Sequence, residues 1–296
     1  MKGNFILSCG STADLPYAHM QSRDVRVIFY HYILDGVDYE DDMQRDEAAS
    51  EQFFAALKAG KIPSTSLINT ADYMDYFENL LQEGDVLHIA FSSGLSGSCN
   101  SALMAADMVR EKNPPHKLVV VDGLCASGGY GMLVDLVADL RDGGASIEEA
   151  EAWIEQNKYR IHHEFIAGDM THFRRTGRMS GATALIATVM SICPVMHVKK
   201  DGKLDAYSKA RGKKNAAAAL VNEMIAHAEG GLDYQGPCYV NHSNCPEDMA
   251  MIKAAVEEKF PQLVGKIVET RIGTIISCHC GSETSALYYI GDERSM

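Results

Sequence analysis

Two short segments rich in hydroxyl groups, together with one late histidine, are the residues of this chain best suited to chemistry. Residues 62–66 read IPSTS and residues 91–98 read FSSGLSGS, and each segment precedes an amphipathic helical pattern. Residues 277–281 read SCHCG and place His279 between two cysteines. The three segments contain no carboxylate. Hydroxyls and an imidazole in such a set can hold an anionic head group by hydrogen bonds rather than break a bond.

The hydroxyl groups gain this role from the helices that follow them. The N-terminus of a helix offers free N–H groups and a positive dipole end, both of which attract anions. Neighbouring parallel strands also end at the same edge of a sheet, where ligands bind. Each hydroxyl could equally be an ordinary helix N-cap. The hydroxyls concerned are those of Thr65, Ser66, Ser92, Ser93 and Ser96.

A hydrolase or acyltransferase is an alternative for the same residues. Ser93 or Cys280 would be the nucleophile and His279 the base, but a third group must orient such a base, and the sequence offers no carboxylate for that role. The phosphate-binding patterns G-x-x-x-x-G-K-[ST] and G-x-G-x-x-G are also missing. We therefore expect no cofactor and no catalytic residue.

A zinc site is the second alternative, because nitrogen and sulfur ligands suit zinc. The sequence predicts that His279 lies on a strand or at its end, where its two cysteine neighbours would face away from it. A single His-Cys pair elsewhere is weak evidence, so we predict no metal. The ligands of such a site would be Cys278, Cys280, His242 and Cys245.

Two basic segments stand out in an otherwise acidic chain. Residues 174–178 read RRTGR and residues 209–214 read KARGKK. They could be solvated turns, or one arginine could neutralise a bound carboxylate or phosphate through charge-assisted hydrogen bonds.

The charge, the apolar runs and the cysteines of the chain disfavour several classes of protein. The 296 residues carry a formal net charge of −13, which disfavours nucleic-acid binding and docking on anionic membranes. No apolar run is long enough for a membrane span, and the N-terminus lacks the apolar region of a secretory signal. The eight scattered cysteines then indicate reduced thiols in the cytoplasm.

Alternating strand and helix patterns predict an α/β fold with a mainly parallel sheet flanked by helices. Gly143 and Gly144 mark a boundary, after which a second α/β region follows. Helices are predicted at residues 47–59, 72–82, 99–109, a segment ending near 142, a segment starting at 146, 180–190 and 215–229. Strands are predicted at residues 5–9, 25–34, 85–91, 117–121, 165–168, 192–198, 203–207, 237–241, 266–276 and 286–290.

Several motifs, taken together and in this order, resemble those of the DegV family of bacterial fatty-acid-binding proteins. The resemblance covers nearly the whole chain. The chain departs from the family pattern at Leu67, Cys278, Cys280 and Ser282. The similar segments are residues 11–16 (STADLP), 62–66, 91–98, 174–181 (RRTGRMSG), 192–195 (ICPV) and 201–203 (DGK).

The resemblance implies two α/β domains, 1–145 and a smaller mixed domain 146–296, with one long-chain fatty acid buried between them. It implies that Thr65, Ser93 and His279 hydrogen-bond the carboxylate and that Arg211 adds charge. From the hydroxyl cluster we assign Ser66 and Ser92 to the same carboxylate site. The resemblance also implies a cytoplasmic carrier in phospholipid metabolism, which presents the acyl chain to a separate fatty acid kinase.

Overall fold

A computed structural model gives the fold and describes residues 5–179 and 192–296. The helix predicted over residues 180–190 lies outside these ranges. The described strands are β1 Phe5–Gly10, β2 Val25–Ile28, β3 His31–Leu34, β4 Val37–Glu40, β5 Ser64–Ser66, β6 Asp85–Ala90, β7 Leu118–Asp122, β8 Ile161–Ala167, β9 Ile192–Val198, β10 Leu204–Arg211, β11 Cys238–Ser243, β12 Val268–Arg271 and β13 Thr284–Ile290. The described α-helices are α1 Tyr17–Ser22, α2 Glu47–Lys58, α3 Thr70–Leu80, α4 Ser98–Glu111, α5 Ser127–Asp142, α6 Ile147–Asn157, α7 Thr171–Thr176, α8 Lys213–His227, α9 Pro246–Lys259 and α10 Thr274–Cys280.

The α/β fold class is confirmed. Within the first half of the described chain, strands β2-β1-β6-β7 form a sheet in which every neighbouring pair is parallel. Such a sheet is covered by helices on both faces, so its strands are almost continuously apolar. Residues 118–121, which read LVVV and are all buried, illustrate this pattern.

A second, mixed sheet occupies the later half of the described chain, with the strand order β10-β9-β8-β13-β11-β12. Its pairs are antiparallel except β11 with β12. Strands β9 and β10 form a hairpin around the turn at residues 199–203. All seven residues of β8 are buried, so this strand lies at the centre of the second half.

The prediction of one strand over residues 25–34 is wrong, because the structure divides this segment between two sheets. Strand β2 pairs with β1, whereas β3 belongs to a small antiparallel sheet with β4 and β5. The break is at Tyr30, whose N–H donates to Ser11 Oγ and whose carbonyl accepts from the Asp41 N–H. These bonds replace the ladder bonds that a continuous strand would need.

The strand predicted over residues 266–276 is also wrong in its second part. It ends at Arg271, and Gly273 is the N-cap of helix α10, which carries His279. Helix α9, by contrast, was not predicted, although Pro246 at its start and the spacing of Met249, Ile252 and Val256 are helical signals.

Helix α5 lies between the two main sheets and connects them by hydrogen bonds. Toward the parallel sheet, Tyr130 Oη accepts from the Gly10 N–H at 2.9 Å. Toward the mixed sheet, Asn241 Nδ2 donates to Ser127 Oγ at 2.9 Å. The approach is close because α5 carries glycine there: a Cβ atom on Gly129 would lie 2.2 Å from His163 Nε2. The distance between the sheets is therefore set at this helix.

The two halves also meet where the loop at residues 91–97 contacts the β9–β10 turn. Ser92 Oγ donates to the Gly202 carbonyl at 2.8 Å. A Cβ on Gly94 would lie 2.7–2.8 Å from backbone atoms of Gly202 and Asp201. Backbone cannot move aside as a flexible side chain can, so this contact requires glycine.

We therefore expect Gly94→Ala to lower the free energy of unfolding by about 1–3 kcal/mol through overpacking. Denaturant unfolding measures the change. Gly97→Ala is the control, because a Cβ there would meet only the Leu67 side chain, at 3.7 Å, and should cost less than about 1 kcal/mol. Equal losses in the two variants would contradict the close contact at Gly94.

Candidate ligand-binding pocket

A largely apolar cavity lies between the two main sheets. The cavity has a volume of about 230 Å³, many times the roughly 10–15 Å³ that one water molecule needs. Residues from both halves of the chain line it. The apolar lining consists of Leu67, Phe91, Leu95, Ala126, Phe165, Phe173, Val198, Leu204, Ile272, Ile275, Ile276 and Ala286, and the polar or sulfur-containing lining of Thr12, Tyr30, Thr65, Ser66, Ser96, Ser127, His163, Arg178, His279, Cys280, Thr284 and Tyr288, with Gly97 beside them.

A hydroxyl and an imidazole form one polar part of this lining. Thr65 lies on β5, which pairs with β3, and His279 lies in the last turn of α10. Thr65 Oγ1 and His279 Nε2 are 2.9 Å apart. The structure thus brings together two predicted site residues that are 214 positions apart in the sequence, and Ser66 lies next to them.

The environment of His279 keeps its imidazole neutral. Burial, and then the charges of Arg178 and Arg175, lower its pKa to about 4. Its Nδ1 is buried and has no hydrogen-bond partner among the described residues. In the tautomer with the proton on Nε2, the ring donates to Thr65 Oγ1 and leaves the Thr65 hydroxyl proton free for an acceptor on a ligand.

Arg178 and Ser96 border the cavity where a second, more polar cavity adjoins it. The two cavities share these residues together with Leu95, Gly97 and Leu204. The second cavity, of about 480 Å³, is also lined by Lys199, Lys203 and Asp205, so with Arg178 its basic side chains outnumber the acidic one. An anionic head group would find donors and a guanidinium here although the chain is acidic overall.

Three of the predicted site residues do not line the cavity. Ser92 is fully buried, and its Oγ is bonded to Gly202. Ser93 is exposed, and its N–H donates to Asp122 Oδ1 at 3.2 Å. Arg211 is exposed at the far end of β10 from Leu204, roughly 20 Å away at about 3.3 Å per strand residue.

We expected the two hydroxyl-rich segments to be loops at the ends of neighbouring strands. The structure confirms this for the segment at residues 91–98 but not for the segment at residues 62–66. The loop containing Ser96 follows β6 at the carboxyl edge of the parallel sheet, as expected. Thr65 and Ser66, however, lie on strand β5 of the small sheet. Neither caps the next helix, because Asn69 does so by accepting from the N–H groups of residues 71 and 72.

Sequence reasoning missed several lining residues. Arg178 belongs to a basic segment that the sequence did single out, and Thr12 belongs to the STADLP motif. Nothing in the sequence marks His163 as a cavity residue, because it lies in the middle of a strand. It accepts from the Ala126 N–H at 3.1 Å, and burial lowers its pKa well below the usual range, so it is a neutral wall residue.

The geometry disfavours nucleophilic catalysis. Burial raises the pKa of the Cys280 thiol to about 12, so the thiolate is scarce at neutral pH. Ser93 lies outside the cavity, and no carboxylate among the described residues orients His279 through its Nδ1.

The possible zinc ligands are not gathered either. No three His, Cys, Asp or Glu side chains within residues 5–179 and 192–296 are placed to hold a metal ion. His242 Nδ1 instead accepts from the Cys245 N–H at 3.0 Å.

Comparison with known proteins agrees with this architecture. A family model for uncharacterised proteins of the DegV family matches residues 9–292. The chain belongs to the DegV family. A DegV domain-containing protein of Clostridium perfringens is 32% identical over 98% of both chains, and one of Lactococcus lactis is 31% identical over 97% of both.

Solved DegV structures have the same fold. A DegV family protein from Thermus thermophilus, described as fatty acid binding, is 27% identical, with a TM-score of 0.84 over 97% of this chain and 99% of that one. DegV from Bacillus subtilis, described as a fatty acid binding protein, is 22% identical, with a TM-score of 0.83 over 98% and 100%. In the present protein, no helix within residues 5–179 and 192–296 is both long and apolar enough to cross a membrane.

The low pKa of His279 predicts a pH-dependent contribution to stability. The unfolded histidine titrates near pH 6.5, so between pH 6.5 and about 4 the unfolded state binds more protons than the folded state. Stability from this group is therefore present above pH 6.5 and falls as the pH is lowered toward 4. The free energy of unfolding of His279→Gln, measured in urea from pH 4.5 to 7.5, should fall less steeply than that of the wild type.

A slope for His279→Gln that matches the wild-type slope would contradict the lowered pKa assigned to His279.

Proposed function

We propose that this DegV protein binds one long-chain fatty acid, with the acyl tail in the apolar cavity and the carboxylate near Thr65 and His279. The observation that carries the proposal is the cavity itself, in which a largely apolar wall adjoins a paired hydroxyl and imidazole beside Arg178. The descriptions of the Thermus and Bacillus relatives as fatty acid binding support it.

The energetics of such a ligand divide between its two ends. Each buried CH₂ group of the tail contributes about 0.8 kcal/mol, so a long chain binds tightly without specific contacts. The carboxylate is the difficult part, because desolvation is costly unless donors replace water. Thr65 and Ser66 supply hydroxyl donors, a neutral His279 orients Thr65, and the Arg178 guanidinium adds charge.

This assignment changes the role of three predicted residues. We propose that Ser92 holds the loop by its bond to Gly202, and that Ser93 and Arg211 do not touch the carboxylate. Ser96 takes the place of its neighbours as the cavity-lining hydroxyl of that loop. We also propose that 1–145 and 146–296 act as two domains with the ligand between them.

The binding site can be tested with paired variants measured by calorimetric titration with palmitic acid. Thr65→Val and Arg178→Gln should each weaken binding by about 1–3 kcal/mol, because the carboxylate loses a donor. Ser93→Ala and Arg211→Gln remove the same chemical groups outside the cavity and should leave the affinity unchanged. If Ser93→Ala and Arg211→Gln lower the affinity for palmitic acid while Thr65→Val and Arg178→Gln do not, the proposed head-group site is contradicted.

We further propose that the bound fatty acid is presented to a separate fatty acid kinase, which supplies ATP and forms the acyl phosphate. The missing G-x-x-x-x-G-K-[ST] pattern is consistent with a partner that holds the nucleotide. The more polar cavity beside Ser96 and Arg178 offers that partner a route to the carboxylate.

Trapping with hydroxylamine tests this step. Palmitate, ATP, this protein and a purified fatty acid kinase should yield acyl hydroxamate, whereas omission of either protein should abolish it. Equal product from the kinase alone, or from this protein alone, would contradict presentation.

A further inference from the structure

We infer that the cavity is built for a long-chain fatty acid that carries an oxygen function along its chain, a hydroxyl group being the simplest, which Thr12 and Ser127 recognise. The inference rests on the proposed function, since it names the class of fatty acid that the same cavity would take. It comes from a hydroxyl group on the cavity wall that the head-group site does not use.

Thr12 is the residue that points to this ligand. Its side chain lines the cavity and is only 1% exposed. Its Oγ1 has no hydrogen-bond partner among residues 5–179 and 192–296. A buried hydroxyl without a partner is costly, and a purely hydrocarbon tail passing this point would leave the cost in place. A hydroxyl on the tail would remove it, because Thr12 can both donate and accept.

Ser127 supplies a second oxygen on the same wall. It also lines the cavity. Its hydroxyl proton is committed to Asp14 Oδ2, and its oxygen accepts from Asn241 Nδ2 at 2.9 Å. A serine oxygen has two lone pairs, so one remains to accept from a ligand. With these bonds Ser127 presents an acceptor to a ligand, and Thr12, which has no partner among the described residues, can donate.

A network behind Ser127 holds this acceptor in place. Tyr288, another lining residue, donates through its hydroxyl to Asn241 Oδ1 at 3.1 Å. The Asp14, Ser127, Asn241 and Tyr288 side chains thus form a continuous buried chain of hydrogen bonds. These bonds orient Ser127 independently of any ligand, although the second carboxylate oxygen of Asp14, Oδ1, has no hydrogen-bond partner among the described residues.

These groups are separate from the head-group site. Thr12 follows strand β1, and Ser127 begins helix α5, whereas Thr65 and His279 lie on β5 and α10. Thr12 and Ser127 therefore form a polar position that is distinct from the one at Thr65 and His279. Because both positions are fixed in the fold, only an oxygen at a suitable number of carbons from the carboxylate can reach Thr12.

The test is a titration of wild type, Thr12→Val and Thr12→Ser with stearic acid and with hydroxystearic acids that differ in the position of the hydroxyl. For the wild type, one narrow range of positions should bind about tenfold more tightly than the others. Thr12→Val keeps the side-chain shape and should lose that preference, while it binds stearic acid at least as well as the wild type. Thr12→Ser should restore the preference.

Other outcomes separate the possible failures. A wild-type profile that is flat over all hydroxyl positions overturns the inference, even if the valine variant fails to fold. The inference is also overturned if Thr12→Val changes the affinity for every ligand by the same factor, because this would mean that Thr12 only holds a water molecule. If the wild type binds neither stearic acid nor any hydroxystearic acid, the proposed function itself fails.

Discussion

The close packing of helix α5 between two sheets is the constraint on which the rest of the structure depends. Gly129 lets the helix approach His163 to a distance that no side chain would allow, and Tyr130 and Ser127 tie it to the two sheets. Interiors packed in this way are nearly incompressible. With the sheets fixed here and again at Gly94, the space between them persists as a cavity, and residues from both halves become its wall.

The chemistry of the cavity follows from what such a space does to polar groups. Burial lowers the pKa of His279 and His163 and raises that of Cys280, so these groups are neutral at physiological pH. A neutral imidazole beside a threonine can present a hydroxyl proton to a carboxylate, but it is a poor base. The same burial that makes the wall suitable for an acyl tail therefore favours holding a ligand over reacting with it.

Much of the fold could be predicted from local patterns, whereas the site depended on long-range contacts. Apolar runs such as residues 118–121 give a buried strand whatever surrounds them. The run from 272 to 276 also looked like a strand, but Gly273 begins a helix there and turns His279 toward Thr65. Ser92, Ser93 and Ser96 are chemically alike in sequence, and the contact with Gly202, 110 positions after Ser92, decides which of them lines the cavity. Likewise, the length of β10 separates Arg211 from the cavity that Arg178 borders.

The most direct test of the account is to extract the purified protein under denaturing conditions and to analyse the organic phase by mass spectrometry. We expect about one long-chain fatty acid per protein molecule, and the masses would show whether oxygenated chains are among them. Protein that carries no fatty acid, and that takes up none after incubation with a mixture of saturated, unsaturated and hydroxylated chains, would contradict the central claim that the cavity is a fatty-acid site.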